Sequence, residues 1–181
     1  RAQALREGLV RLHDEQFGTR LMRGVVAPGG VKRDLPPGGE NAVRLHLDRF
    51  QKDFEELFTL LTSAGSFTDR VDATGVLTRQ AALDLGIVGM AARASGVDTD
   101  FRRDHPHDAY EGLRFKVPVE EGGDVRARLM VRAREVEQSL SIIREVLDSM
   151  PARSEAPLIA SLPDRLPARA SALGWAEAWR G

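Results

Sequence analysis

Residues 122–150 read GGDVRARLMVRAREVEQSLSIIREVLDSM, and this stretch decides the fold. Its apolar positions recur at alternating steps of four and three residues, which is the spacing of one face of an α-helix. They are Leu129, Ala133, Val136, Leu140, Ile143, Leu147 and Met150. Asp124 is a favourable N-cap, and Pro151 ends the helix because proline lacks the amide hydrogen that a helix interior needs. We therefore predict a long amphipathic helix that packs through one face.

Two earlier segments show the same periodicity. The first runs from the start of the chain to about Gly24, with Leu5, Leu9, Leu12, Phe17 and Leu21 facing inward. The second follows the helix-breaking residues 35–39 and is stopped by Gly65. Its stripe is Val43, Leu47, Phe50, Phe54, Leu57 and Leu61. We predict a mainly α fold, a bundle of long antiparallel helices with short β-strands in the connections and at the C-terminal end. The stripes are interpreted as the bundle core rather than as a cofactor cage.

The region between the second and third long helices is less regular. Residues 71–77 have the composition of a short strand that Gly75 interrupts, and Thr78 is predicted to cap a short helix over residues 79–85, ended by Gly86. Residues 89–110 are rich in Arg, Asp, Gly and His, which predicts an ordered polar loop. Residues 115–119 have strand character, and Pro118 would place that strand at a sheet edge.

We predict three parts along the chain. Residues 1–150 form a helical-bundle scaffold, residues 151–173 a connector rich in proline and alanine, and residues 174–181 the start of a truncated β element. In that last part Trp175, Glu177 and Trp179 alternate with alanines, as in a strand. Because the chain also begins in a helical register without an initiator methionine, we expect it to be the central piece of a larger subunit.

Composition excludes several classes of function within this stretch. The 181 residues carry 26 basic and 27 acidic side chains and no cysteine. The balanced charge argues against a nucleic-acid binder, and the lack of cysteine excludes disulfides, thiolate-bound zinc and iron–sulfur ligation here. No apolar run approaches the roughly 20 residues that span a bilayer. A cytoplasmic location fits this composition.

The motifs that suggest chemistry each have a simpler explanation. His105, His107 and Asp108 could contribute to a metal site, but a solvated loop is the favoured interpretation. Asp98, Asp100 and Asp104 do not fit a calcium-binding loop, because no glycine or bidentate glutamate stands at the positions that such a loop requires. The glycines in residues 28–34 and 122–124 could bring amides to an anion, although a turn and a helix start explain them as well. We predict no catalytic, cofactor-binding or metal-binding residue.

The arginines are more suggestive, because a guanidinium fork is suited to buried or interfacial ion pairs. Nine of them alternate with acidic residues: Arg70, Arg79, Arg93, Arg102, Arg103, Arg126, Arg128, Arg132 and Arg134. Solvated helix faces and a subunit interface are the two explanations. The residues we assign to such an interface are Arg93, Arg102, Arg103, Asp124 and Arg128.

Several blocks, in order, resemble the large-subunit family shared by membrane-bound nickel–iron hydrogenases and the 49-kDa quinone-site subunit of respiratory complex I. The first blocks are residues 28–31 with Asp34, residues 74–77 followed by Ala81, Leu83, Leu85 and Gly86, and Gly89 with residues 93–97. The later ones are residues 100–103 with Pro106 and Tyr110, residues 123–125 with Arg128, Val131 and Arg132, residues 139–143, and residues 174–177 with Arg180 and Gly181. Residues 21–24 and the tryptophan-bearing end are more similar to the formate hydrogenlyase and energy-converting hydrogenase branch.

The resemblance implies a scaffold part of an electron-transfer oxidoreductase of the hydrogenase or NADH:quinone oxidoreductase type, not catalytic alone. It also implies that the cysteines that hold a nickel–iron centre, or the side chains that meet a quinone, lie outside this stretch, so that this part binds no cofactor itself. The implied partners are an iron–sulfur small subunit and other subunits of a membrane-associated complex on the inner face of the cytoplasmic membrane. The alternative is a metal-free structural or assembly subunit. The isolated piece is expected to form homo-oligomers through exposed apolar faces.

Overall fold

The structure is a computed structural model that describes residues 1–150, 157–163, 165, 168–174, 176 and 177. It is 54% helix and 3% strand, which confirms the predicted mainly α class. The α-helices are α1 (Ala2–Phe17), α2 (Gly39–Thr62), α3 (Gly65–Val71), α4 (Arg79–Asp84), α5 (Gly89–Arg93), α6 (Phe101–Asp104) and α7 (Val125–Ser149), and a 3₁₀ turn covers Asp108–Glu111. Strands β1 (Val26–Ala27) and β2 (Gly30–Val31) form an antiparallel hairpin. No helix among the described residues is long and apolar enough to cross a membrane.

The first of two compact units, Arg1–Leu57 with Ser149–Leu173, contains an antiparallel pair of long helices, as predicted. Arg1 pairs with Glu56 at 3.6 Å, near the far end of α2. Halfway along, the His46 ring packs on the backbone of Gly8, so that a Cβ at Gly8 would lie 3.2 Å from His46 Cε1. Val10, Leu12 and Leu47 are buried in this unit. Of the predicted α2 stripe, Leu47 is buried, whereas Leu61 is 36% exposed.

Helix α1 ends earlier than its sequence pattern predicted. It stops at Phe17 rather than near Gly24, because Gly18 adopts a left-handed conformation (φ 64°) and donates its amide to Asp14 O at 2.8 Å. Leu21, predicted to face inward, is 55% exposed. The apolar pattern in the sequence therefore continues one turn beyond the residue at which the observed helix ends.

The glycine loop at residues 28–30 is a hairpin turn. Pro28 and Gly29 connect β1 to β2, and the positive φ of Gly29 (84°) matches the third position of a type II turn. Residues 158–160 of the predicted connector lie along β2 and the turn, with Val31 donating to Leu158 O at 3.0 Å. A Cβ at Gly30 would lie 2.1 Å from the same oxygen, so only glycine lets the two backbones approach this closely.

The second unit comprises Phe58–Asp148 and the residues from Gly174 onward, and α7 supplies much of its core. Ala133, Leu140 and Leu147 of the predicted stripe are buried, but Ile143 is 39% exposed. Toward the N-terminus of α7 the buried face shifts to Ala127 and Val131, which pack with Met90 and Ala94. The buried face shifts because α5 packs against a different side of α7 near its N-terminus.

Three local predictions in the second unit were wrong. Residues 71–77 form no strand: Val71 ends α3, and the following turn bonds to the turn before α7, with Leu77 donating to Gly123 O at 2.9 Å. The expected polar loop at 89–110 contains α5, α6 and the 3₁₀ turn. Residues 115–119 form no strand, and the amide of Lys116 donates instead to Gln138 Oε1, a side chain of α7, at 2.9 Å.

Other predicted boundaries hold. Thr78 Oγ1 accepts the amide of Ala81 at 3.2 Å and caps α4, and Gly86 follows that helix with φ 60°. Helix α2, however, ends at Thr62, and Gly65, which was predicted to stop it, is the first residue of α3. Of the β element predicted for residues 174–181, only Gly174, Ala176 and Glu177 are described, and its remaining residues lie outside the described part, as do 151–156, 164 and 166–167 of the connector.

Candidate functional site

The centre of the site is Arg93, a guanidinium that is almost fully buried. Arg93 is the last residue of α5 and is 3% exposed. Its Nε and Nη2 donate to Glu135 Oε1 of α7, at 3.0 and 2.6 Å. Its Nη1 donates to Glu177 Oε1 at 2.9 Å and to the carbonyl of Thr99 at 3.0 Å. One side chain thus joins α5, α7 and a segment 84 residues further along the chain.

A second ion pair, Asp100 with Arg102, lies beside the first. Asp100 is 1% exposed and accepts from Arg102 Nε at 3.0 Å and Nη2 at 2.7 Å, and its Oδ2 is 3.8 Å from Arg93 Nη1. Burial opposes ionisation of Asp100, but the hydrogen bonds and charge of Arg102 outweigh it, so the pKa of Asp100 lies below its usual value. The hydrogen bonds to Asp100 likewise raise the pKa of Arg102 despite its burial. Both side chains are therefore charged.

The local sequence explains why this pair forms. Asp100 is the N-cap of α6, where its Oδ1 accepts the amide of Arg102 at 3.0 Å. Asp104 returns the interaction by accepting the amide of Asp100 at 3.0 Å. Hydrogen bonds from Arg103 and from that amide lower the pKa of Asp104. The cap positions the Asp100 carboxylate so that it can also hold the Arg102 side chain.

A cavity of about 360 Å³ opens beside these ion pairs, within the second unit. Its wall consists of Arg93, Phe101, Arg102, His107, Tyr110, Glu135, Ser139, Ala176 and Glu177. Aromatic rings follow one another along this wall, with centroids of His107 and Phe101 6.3 Å apart and those of His107 and Tyr110 5.5 Å apart. Arg102 lies 5.1 Å from the centroid of the Phe115 ring, in a cation–π arrangement.

Asp124 and Arg128 hold the start of α7. Asp124 accepts amides of Ala127 at 2.7 Å and Ala73 at 2.8 Å, and these bonds lower its pKa. Arg128 donates to the carbonyls of Gly123 at 2.7 Å and Gly75 at 3.1 Å. The two side chains, which we had assigned to an interface, thus satisfy backbone groups of their own chain around the N-terminus of α7.

The structure brings two of the five predicted interface residues, Arg93 and Arg102, into one site. Arg103 lies outside it and pairs with Asp98 at 2.6 Å and Asp104 at 2.8 Å on the exposed side of α6. The interface assignment itself stays a prediction. Sequence reasoning missed Glu135 and Glu177, because no local pattern relates them to Arg93. Asp100 was rejected as a calcium ligand and appeared otherwise only in the motif block 100–103, although an Asp before a short helix is a readable capping signal.

The two histidines near the site pack against aromatic rings. The His105 ring centroid is 5.1 Å from that of Phe101, and His107 lies between Phe101 and Tyr110. In the described part of the chain, no three His, Asp or Glu side chains converge in a way that could hold a metal ion.

Comparisons with known proteins place the chain in context. The family model described as the respiratory-chain NADH dehydrogenase 49 Kd subunit matches residues 2–173. The chain is 40% identical over 146 residues to a D-subunit of the NADH-quinone oxidoreductase of Opitutus terrae, covering 81% of this chain and 34% of that protein. It is 40% identical over 145 residues to the corresponding protein of Geotalea uraniireducens, covering 80% and 37%.

A solved structure shows the same fold. A chain in the membrane-bound sulfane sulfur reductase, an archaeal respiratory membrane complex, superimposes with a TM-score of 0.81 at 32% identity. The match covers 90% of this chain and 43% of that chain. The chain therefore spans about a third to two fifths of the length of the proteins that it matches.

Proposed function

The chain belongs to the family of the respiratory-chain NADH dehydrogenase 49 Kd subunit, and we propose that it is the scaffold part of such a subunit in an electron-transfer oxidoreductase complex. In this role it performs no chemistry alone. It holds helices in place for reactive groups that other parts of the subunit and its partners supply.

The observation that carries this proposal is the buried Arg93 cluster. Its contacts connect α5, α7 and the segment around Glu177, which are far apart in sequence. Removing one partner from a buried ion pair leaves an uncompensated charge and typically costs about 3–5 kcal/mol, because the remaining charge has lost its solvation. A cluster of this kind therefore favours one arrangement of these segments, which is what a scaffold requires.

Membership of a multisubunit complex is proposed from the relatives. The partners would be an iron–sulfur small subunit and further subunits of a membrane-associated assembly on the inner face of the cytoplasmic membrane. A quinone, or a nickel–iron centre if the parent belongs to the hydrogenase branch, would be bound outside this stretch. The preference for the formate hydrogenlyase branch remains a prediction.

The test is a Glu135→Gln substitution in the full-length subunit within its complex, with Glu137→Gln as the matched control on the exposed side of α7. We expect Glu135→Gln to lower the amount of assembled complex on native gels several-fold, since Arg93 loses its main counter-charge. Activity per assembled complex should stay within about twofold. Normal assembly together with a large loss of activity per complex would contradict a scaffold role.

The second candidate is a metal-free structural or assembly subunit. The same ion cluster supports it, because a cluster that holds helices together is needed whether or not the parent subunit carries a metal. Metal analysis and turnover of the purified complex separate the two. Stoichiometric nickel or reduction of a quinone by the complex excludes the second candidate, and an assembled complex with neither property supports it.

A further inference from the structure

Most of the hydrogen-bond donors of the two arginines beside the cavity are already bonded within the chain. Two carboxylate oxygens there can accept further hydrogen bonds. Four hydrogen bonds engage four of the five N–H donors of Arg93, and Asp100 takes two from Arg102. By contrast, no group in the described part of the chain donates to Glu135 Oε2. Glu177 Oε2 receives only the amide of Phe101, at 3.3 Å, from the described residues. The cavity wall is therefore better able to accept further hydrogen bonds than to donate them.

The charges of the site favour the same kind of ligand. The carboxylates of Asp100, Glu135 and Glu177 face the guanidiniums of Arg93 and Arg102, so the described ion cluster carries one more negative than positive charge. Arg93 and Asp100 are nearly inaccessible, whereas Glu135 and Glu177 keep 24% and 18% of their side chains exposed. The excess charge is thus presented at the cavity by carboxylates that a ligand can reach.

The remaining wall suits the stem and face of an organic cation. Phe101, His107 and Tyr110 contribute aromatic rings to the wall, and the nearby pair of Arg102 and Phe115 shows that this region accommodates a guanidinium over a ring. The volume of about 360 Å³ falls at the lower end of the range for small-ligand sites. A metal ion is a poorer fit, because nothing in the described part converges to coordinate it.

We propose that this cavity accepts a basic side chain, an arginine or a lysine, from a neighbouring polypeptide of the complex. Its charged end would bind Glu135 Oε2 and Glu177 Oε2, and its stem would lie on the aromatic wall. The inference rests on the proposed function, because it is the multisubunit assembly that supplies the neighbour. The group that fits is a cation with several N–H donors on an apolar stem.

The first experiment tests the pocket on the chain itself, with agmatine, which carries a guanidinium and an amine, as the cationic probe and N-butylurea as an uncharged compound with the same four-carbon stem. Calorimetry should show saturable binding of agmatine and none of the urea. Ser139→Phe fills the cavity without changing the ion cluster and should weaken agmatine binding at least tenfold. Ser141→Phe, the same substitution at an exposed position two residues along α7, should not. Equal binding to both variants, or no binding to the unchanged chain, overturns the pocket.

The second experiment tests the source of the cation in the intact complex. A photo-crosslinking phenylalanine analogue at position 139 should join a peptide of another subunit at or beside an Arg or Lys, and the same analogue at position 141 should not give that product. Crosslinks confined to the same subunit, or to a peptide without a basic residue, overturn the docking proposal even if agmatine binds. A chain that binds agmatine but enters no complex refutes the proposed function while leaving the pocket intact, so the two failures are distinguishable.

Discussion

At the scale of single residues, two arginines with similar sequence surroundings differ in burial. Arg93 and Arg103 both sit among acidic residues, yet Arg93 is buried in a cluster that spans the second unit, whereas the Arg103 side chain is 37% exposed and pairs locally. Ion pairs of the second kind contribute little, since water screens them and two long side chains must be ordered. The number of charges in a segment therefore says little about their energetic weight.

Replacing Arg93 should expose this difference. We expect Arg93→Met to reduce the free energy of unfolding by about 3–5 kcal/mol, because Glu135 and Glu177 would be left without their counter-ion. The control Arg103→Met should cost less than about 1 kcal/mol. Urea denaturation of the two variants measures both values, and equal effects would show that Arg93 has no special role.

At the scale of elements, backbone geometry decides how helices begin and end. Gly123 precedes α7 with φ 65°, and a Cβ there would lie 2.1 Å from the carbonyl oxygen of Leu77. Gly86 follows α4 with a similar φ of 60°, but a Cβ there would meet nothing within 4 Å. The two positions share the conformational requirement and differ only in the available space.

Alanine at these two glycines separates conformational strain from steric conflict. Gly86→Ala should cost about 1–2 kcal/mol, the usual penalty for an L residue in the left-handed region. Gly123→Ala should cost that amount plus about 1–3 kcal/mol, because the turn must move away from Leu77. Thermal unfolding compares the variants, and a smaller loss for Gly123→Ala than for Gly86→Ala would contradict the packing described above.

The contact between α1 and α2 should depend on pH through His46. Burial against α1 lowers the pKa of His46 below its ordinary value of 6.5, and Arg49 and His13 act in the same direction while Glu15 opposes them. The folded state thus prefers the neutral ring, so its stabilising effect is complete above pH 6.5 and declines as the pH falls through the window below that value.

This dependence can be measured in a pH series of unfolding experiments. The free energy of unfolding should fall more steeply as the pH drops below 6.5 for the unchanged chain than for His46→Gln, which removes the titrating group. His105→Gln, in the other unit, serves as the control and should keep the steep slope. An identical slope for His46→Gln would remove His46 from the explanation.

At the scale of the whole molecule, the chain exposes several large apolar side chains that lie close together in sequence. Around the end of α4, Leu83 is 46%, Leu85 71% and Val88 53% exposed. Exposed apolar surface of this kind is typical of proteins that bind a partner, and the chain spans 34% of the length of its relative from Opitutus terrae. We therefore expect the isolated chain to self-associate.

Sedimentation at several concentrations tests this expectation. The apparent mass of the isolated chain should rise with concentration, and the double substitution Leu85→Ser with Val88→Ser should reduce that rise without lowering the unfolding temperature. Arg79→Ser, at the other end of α4, provides a control for a change in the same helix. A chain that stays monomeric throughout would show that these residues do not drive association.

The sequence by itself determined the presence of the long helices, the N-caps of α4 and α7, and the family. The stripes of α2 and α7, Thr78 before α4, Asp124 before α7 and the ordered motif blocks are local signals, since helix periodicity and capping depend on neighbours within four residues. Only the tertiary structure decided which charges are buried and which cavity they border. Arg93, Glu135 and Glu177 meet across 42 and 84 residues of chain, and such contacts depend on how the helices pack. Tertiary packing also decides residues 115–119, which form no strand and whose Lys116 amide donates to Gln138 of α7.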